Sequence, residues 1–94
     1  MPNILLVGNG AREHAIAEAI LRSKQNPHLF SYMKSNNPGI ASLSAKTLLG
    51  GYADLTAITD FANKNKVEFA VIGPEDPLAN GVTDALKACG IGVV

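Results

Sequence analysis

The residue types best suited to chemistry lie in a glycine-rich turn near the amino terminus. Residues 4–7 form an unbroken apolar run, and Gly8-Asn9-Gly10 leads from it into a predicted helix whose first turn carries Arg12, Glu13 and His14. The N–H groups of a helix's first turn have no acceptors within the helix, and the helix dipole is positive at that end. Together with the arginine, this layout is typical of an anion site, above all for phosphate.

A second polar loop, Gly73-Pro74-Glu75-Asp76-Pro77, follows a later apolar run. Its two prolines restrict the backbone and so hold the two carboxylates in place. Asp76 is predicted to cap the next helix, with Pro77 in the first turn. Glu75 is therefore the better candidate for binding a hydroxyl or an amine. Asn37 and Gly39, in a turn further upstream, are candidates for a third side of the same site.

Each candidate also has a structural explanation. Arg12 fits a solvated first-turn residue, Glu13 is a residue type common in first turns, and His14 fits a satisfied structural histidine. Asn37 and Gly39 can simply form a turn. The spacing alone leaves these alternatives open.

The elements that must position these residues alternate between strand and helix. Apolar runs predict strands, amphipathic stretches predict helices, and no element is assigned between residues 40 and 51. The predicted strands are 3–7, 29–33, 67–72 and 91–94, and the predicted helices are 11–23, 54–65 and 77–90. The inward-facing residues are predicted to be Ala15, Ile16, Ala19 and Ile20 in the first helix, Leu55, Ile58, Phe61 and Ala62 in the second, and Leu78, Val82, Ala85, Leu86 and Cys89 in the third.

This alternation predicts an α/β fold, an open parallel sheet with helices on both faces. We expect the strand order 2-1-3-4, since parallel crossovers are right-handed. The chain then reverses direction between strands one and three, where open α/β sheets bind ligands beyond the carboxyl ends of their strands. Loops 8–14 and 73–78 both emerge at that point.

Composition excludes several functional classes. The 94 residues are predicted to form one domain, and their net charge of zero argues against nucleic acid and membrane surfaces as partners. Cys89 is the single cysteine, so a reducing, cytoplasmic setting is expected, without a disulfide framework or a metal site. The sequence stops within a predicted strand, from which we expect a piece of a longer protein.

The motifs argue against a dinucleotide-binding protein and against a catalytic site within this segment. Glu13 stands where the dinucleotide-binding pattern has its third glycine, and Tyr32-Met33-Lys34 stands where that pattern has an acidic residue for the ribose. There is no P-loop lysine pattern and no Ser/His/Asp or Cys/His nucleophile set, so no catalytic residue is predicted in this segment.

The motif Gly-Asn-Gly-Ala-Arg-Glu-His-Ala (8–15), joined to Gly-Pro-Glu-Asp-Pro-Leu (73–78), resembles the phosphoribosylamine–glycine ligases, also called glycinamide ribonucleotide synthetases. The resemblance runs over nearly the whole chain and includes Asp54. It implies that residues 1–94 are the Rossmann-like, pre-ATP-grasp N-terminal domain of such an enzyme, with the ATP-grasp and C-terminal regions absent from this chain.

The resemblance also implies an activity in purine synthesis. Such enzymes activate the carboxylate of glycine with ATP and Mg²⁺ (or Mn²⁺), and the amine of 5-phosphoribosylamine attacks it, giving glycinamide ribonucleotide, ADP and phosphate. ATP and metal are expected in the absent regions, which would pack on this domain, so the segment alone is expected to be inert. It is expected to bind the phosphoribosylamine side through Gly8, Asn9, Gly10, Arg12, Glu13, His14, Asn37, Gly39, Gly73, Pro74 and Glu75.

One departure from the family pattern concerns Ala11, where a second glycine is usual before the arginine. Alanine adopts positive φ only at a cost of about 1 kcal/mol, so this position is either already helical or the turn is altered. Asn36 and Lys34-Ser35 also differ from the usual residues. The alternatives are a free-standing nucleotide- or dinucleotide-binding Rossmann-like module without ligase activity, and an assembly domain whose glycine loop is only a tight turn.

Overall fold

The computed structural model of the chain describes residues 2–73 and 78–94. Strands and helices alternate over these residues, as predicted from the hydrophobic pattern. The elements are β1 (Asn3–Val7), α1 (Ala11–Leu21), β2 (His28–Met33), α2 (Pro38–Leu43), β3 (Lys46–Leu49), α3 (Leu55–Lys64), β4 (Phe69–Ile72), α4 (Ala79–Ala88) and β5 (Gly92–Val93).

The strands form one parallel sheet in the order β3-β2-β1-β4-β5. The four predicted strands have the predicted order 2-1-3-4, but β3 extends the sheet beside β2, and this strand and α2 were missed. All four residues of β3 are exposed, so the strand lacks the alternation of apolar and polar residues that would identify it. Its backbone pairing with β2, from Phe30↔Lys46 to Met33↔Leu49, defines it instead.

Each face of the sheet carries two helices and a separate apolar core. One core joins Leu5 and Val7 of β1 to α3 and α4 through Ile58, Ala62 and Leu86. The other joins Leu6 of the same strand to α1 and α2 through Ala17 and Ile40, with Leu29 and Met33 from β2. Leu5, Leu6 and Val7 are fully buried, so β1 is covered on both faces, as its unbroken apolar run predicts.

The buried face of α1 agrees with the prediction in part, since Ile16 and Ile20 pack against the second core as predicted. Ala17 is buried whereas Ala15 and Ala19 are exposed. The helix is rotated so that Glu13, four residues before Ala17, is also buried. Its burial was not predicted from the sequence, where Glu13 was explained as a carboxylate of the kind common in first turns.

The ends of α3 and α4 also test the predictions. Asp54, the first residue of the predicted helix 54–65, is the N-cap of α3 and accepts a hydrogen bond from the Ala57 N–H at 3.1 Å. α4 begins at Ala79, later than predicted, and the predicted cap and first-turn residues, Asp76 and Pro77, lie outside the described residues. Cys89 and Leu78 were predicted to face the core, but both are exposed, since they flank the helix rather than lie within it.

Of the helices within residues 2–73 and 78–94, none combines the length and the apolar character needed to cross a membrane.

Candidate functional site

The candidate site lies beyond the carboxyl ends of the strands, at the central strand β1, which is paired on both sides. The Gly8 N–H donates to the Tyr32 carbonyl of β2 at 3.0 Å, and the Gly73 N–H donates to the Val7 carbonyl of β1 at 2.8 Å. Both predicted loops therefore start from adjacent strands, with β1 between β2 and β4. This is the position at which the connections reverse direction, as predicted.

The Glu13 side chain fills the turn from inside. The residue is 7% exposed, and its Oε1 accepts a hydrogen bond from the Gly10 N–H at 3.1 Å. A Cβ atom at Gly8 would lie 2.5 Å from Glu13 Cγ, and one at Gly73 would lie 2.7 Å from its Cδ. Glycine at these two strand ends thus makes room for the glutamate. In the dinucleotide-binding pattern the third glycine stands at this position in the first turn of the helix. In this chain the same position carries the long side chain of Glu13.

Arg12 connects the two loops. Its guanidinium donates to the Gly73 carbonyl through one terminal nitrogen and to Glu13 Oε2 through Nε at 3.3 Å. Its side chain is nevertheless 55% exposed, so the cation is accessible at the amino-terminal end of α1. A cation there is unfavourable beside the helix dipole unless anions are close, and Glu13 supplies one.

Asn9 is held by side chains from two other loops. Its main-chain carbonyl accepts a hydrogen bond from Asn37 Nδ2 at 3.0 Å, and its Oδ1 accepts one from the Tyr52 hydroxyl at 2.9 Å. Asn37 also caps α2 with its Oδ1, which accepts from the N–H groups of Gly39 and Ile40. One side chain therefore orients α2 and attaches it to the glycine turn.

Tyr52 was missed by sequence reasoning. It follows Gly50-Gly51 at the carboxyl end of β3, the strand that the hydrophobic pattern did not reveal. Its 6% exposure and its hydroxyl contact with Asn9 place it under the glycine turn. The sequence offers one indication of this role, a tyrosine directly after a glycine pair. That indication points to the site only when β3 is known to belong to the sheet, because the end of β3 determines where Tyr52 lies.

His14 lies against α2. A Cβ atom at Gly39 would be 2.8 Å from His14 Nε2, so the absence of a side chain at Gly39 allows the two helices to approach. His14 Nε2 is 4.0 Å from Glu18 Oε1, one turn further along α1. The imidazole is thus positioned between the helices, with 39% of the side chain exposed.

Tyr32 is a titratable residue whose pKa is shifted by its surroundings. Its hydroxyl donates to the Gly51 carbonyl at 2.7 Å. Burial, followed by the nearby Asp54 and Tyr52, raises the pKa of this phenol above its ordinary value. All three influences disfavour a negative charge, so Tyr32 is a neutral donor beneath the site.

The structure explains why an alanine is tolerated at position 11, where the family pattern usually has a second glycine. Ala11 is the first residue of α1, and Gly10, its N-cap, has extended backbone angles (φ −88°, ψ 178°). Positive φ is needed at Gly8 (φ +135°) and not at Ala11. Of the two possibilities for this position, the structure therefore confirms that it is already helical.

The described residues of the predicted site converge at this edge. Contacts connect Gly8, Gly10, Arg12, Glu13 and Gly73 in one group and Asn9, Asn37, Gly39 and His14 in an adjoining one. Pro74 and Glu75 lie outside the described residues. Within residues 2–73 and 78–94, no three His, Cys, Asp or Glu side chains are grouped so that they could hold a metal ion.

Comparison with known proteins identifies the family of this domain. Residues 2–94 match the family described as phosphoribosylglycinamide synthetase, N domain. The chain belongs to this family. It is 48% identical over 92 residues to the phosphoribosylamine–glycine ligase of Methanococcoides burtonii, and 50% identical over 91 residues to those of Methanosarcina barkeri and Methanocaldococcus jannaschii. These alignments include 97–98% of this chain but 20–21% of the relatives, so the chain spans about a fifth of their length.

Solved structures with the same fold are more distant in sequence. The chain superimposes on yeast saccharopine dehydrogenase with a TM-score of 0.81 and 14% identity, covering 99% of this chain and 21% of that one. It superimposes on N5-carboxyaminoimidazole ribonucleotide synthetase from Thermotoga maritima with a TM-score of 0.73 and 13% identity, covering 99% and 24%. These similarities establish a Rossmann-like fold shared by proteins with different names.

Proposed function

We propose that this domain binds 5-phosphoribosylamine for an ATP-dependent ligase that joins this amine to glycine in purine synthesis. The observation that carries the proposal is the hydrogen bond from Arg12 to the Gly73 carbonyl, which joins the two family motifs at one edge of the sheet. Membership of the family, and the name phosphoribosylamine–glycine ligase carried by relatives about 50% identical to the chain, support this choice of reaction. The domain covers about a fifth of those relatives, so the chemistry requires the remaining polypeptide as well.

The roles of individual residues follow from their chemistry. Arg12 and the first turn of α1 supply a positive field and N–H donors, which suit the 5-phosphate. Asn9 supplies a neutral amide, which suits a phosphate oxygen or a ribose hydroxyl. Glu13 is occupied by the Gly10 N–H and by Arg12, so its first role is to hold the turn and to balance the arginine. Pro74 and Glu75 remain predicted contacts.

ATP and its metal ion do not fit the described part of this domain. The Glu13 carboxylate fills the inside of the glycine turn and takes the Gly10 N–H, so a pyrophosphate has no room against the turn as in the dinucleotide-binding pattern. A single phosphate can instead approach the exposed Arg12 side chain outside the turn. The chain also lacks the glycine-rich pattern with lysine that cradles a triphosphate. We therefore assign activation of glycine to the rest of the enzyme. The same placement of Glu13 counts against the dinucleotide-binding module.

The proposal is tested by titrating the chain with ribose 5-phosphate, a stable substitute for the amine, and following backbone amide signals by NMR. Arg12→Ala is expected to weaken binding by about 1.5–3 kcal/mol, the usual worth of a charged hydrogen bond. Arg22→Ala is the matched control: it removes the same charge at the opposite end of α1, where Arg22 is the C-cap, and should bind like the parent.

Three outcomes contradict this proposal. The first is equal affinity in Arg12→Ala and the parent, and the second is an equal loss in Arg22→Ala. The third is tighter binding of NADH than of ribose 5-phosphate, which would favour a dinucleotide module. In a protein that also contains the remaining four-fifths of the ligase, glycine-dependent formation of ADP is the corresponding activity assay.

A further inference from the structure

Both oxygen atoms of Asn9 accept hydrogen bonds from within the domain. The main-chain oxygen is bound by Asn37 Nδ2 and the side-chain Oδ1 by the Tyr52 hydroxyl. Asn9 is only partly buried, whereas Tyr52 is 6% exposed. The acceptor end of the amide is thus directed at a buried partner, and the accessible end is the donor, Nδ2.

The direction of this amide matters for an anionic ligand. An asparagine amide has one acceptor and one donor end, and rotation about its last bond exchanges them. With Nδ2 accessible, Asn9 donates to a phosphate or hydroxyl oxygen. With Oδ1 accessible, an acceptor would face the ligand's own acceptors and repel them. Whichever group holds Oδ1 therefore decides whether Asn9 attracts or repels the ligand.

We propose that Tyr52 is a positioning residue for the binding of 5-phosphoribosylamine: its hydroxyl holds Asn9 Oδ1, so that the Nδ2 donors of Asn9 contact the ligand. This inference rests on the proposed function. Tyr52 is 6% exposed, and in this proposal it acts through Asn9, which lies 43 residues away in sequence.

The hydroxyl of Tyr52 can be separated from its ring. The ring is part of the core that includes Val7 and Ile58, and it lies 6.3 Å from the ring of Tyr32 at an angle of 51°. Phenylalanine would keep this apolar packing and remove the hydrogen bond to Asn9. Tyr52→Phe is therefore expected to keep the fold while the Asn9 amide loses its fixed orientation.

The first experiment titrates the Tyr52→Phe chain with ribose 5-phosphate by NMR. We expect binding to weaken roughly two- to tenfold, the loss of one net hydrogen bond. The Asn9 side-chain NH₂ signals should shift on addition of ribose 5-phosphate in the parent and much less in the variant. Tyr32→Phe is the matched control, because it removes a neighbouring buried hydroxyl that donates to the Gly51 carbonyl and not to Asn9.

A double-mutant cycle separates positioning from a general effect on the fold. If Tyr52 acts through Asn9, Tyr52→Phe should weaken binding in the parent but cause no further loss in an Asn9→Ala background. An equal loss in both backgrounds, or an equal loss in Tyr32→Phe, would overturn the inference.

The outcomes distinguish this inference from the proposed function. If Arg12→Ala weakens ribose 5-phosphate binding and Tyr52→Phe binds like the parent, the proposed function stands and the role of Tyr52 is wrong. If the parent does not bind ribose 5-phosphate, the proposed function is overturned and this inference with it.

Discussion

At the scale of single residues, the glycine turn depends on one buried carboxylate. Glu13 extends between Gly8 and Gly73, accepts from the Gly10 N–H and contacts Arg12. A buried carboxylate is tolerated when hydrogen bonds and a cation compensate its lost hydration, and both are present here. The glycines on either side are needed because a methyl group at either position would collide with this side chain.

Gly73→Ala is expected to destabilise the domain by about 1–3 kcal/mol, because the added methyl group overlaps Glu13. The cost should fall in a Glu13→Ala background, where the colliding atoms are gone. Urea unfolding of the four proteins of this cycle measures both values. Gly51→Ala is the control, since a Cβ atom there meets nothing within 4 Å. An equal cost of Gly73→Ala in both backgrounds would disprove the collision.

At the scale of elements, a polar cap defines the start of α3. The Asp54 carboxylate accepts from the Ala57 N–H, and Asp54→Ala should lower the free energy of unfolding by about 0.5–2 kcal/mol. Asp60→Ala, in an exposed position of the same helix, removes the same charge without touching the cap and should cost less. Thermal unfolding followed by circular dichroism compares the two, and equal losses would argue against a capping role.

The elements also show how far the sequence alone could lead. β1, β2 and β4 follow from their apolar runs, and the convergence of the two motif loops follows from the order of these strands. β3 could not be predicted because all of its residues are exposed and its backbone pairing with β2 defines it. The contact between Tyr52 and Asn9 was missed for the same reason, since it depends on where β3 ends.

At the scale of the whole molecule, the ionisation of Tyr32 should make the free energy of unfolding depend on pH in the alkaline range. Its raised pKa in the folded state means that an unfolded chain ionises this phenol first, near pH 10. Above pH 10 the unfolded state binds fewer protons than the folded state, so the free energy of unfolding should fall as the pH rises toward the pKa of Tyr32 in the folded state. Below the pKa of the unfolded state, this phenol should not change the free energy of unfolding.

Urea unfolding at increasing pH tests this coupling. Tyr32→Phe should be less stable at neutral pH, because its hydrogen bond to the Gly51 carbonyl is lost, but its stability should decline less steeply above pH 10. Parallel curves for the variant and the parent would rule out Tyr32 as the source of the decline.

The central position of β1 has a consequence for synthesis on the ribosome. This strand is made before the other strands of the sheet, yet its pairing with β4 needs Phe69–Ile72, which come much later in the sequence. Until then Leu5, Leu6 and Val7 cannot be enclosed by both cores, and one edge of the strand is open for association with other chains. Nascent chains that stop before β4 are therefore expected to aggregate or to require a chaperone, whereas chains that pass it can close the sheet.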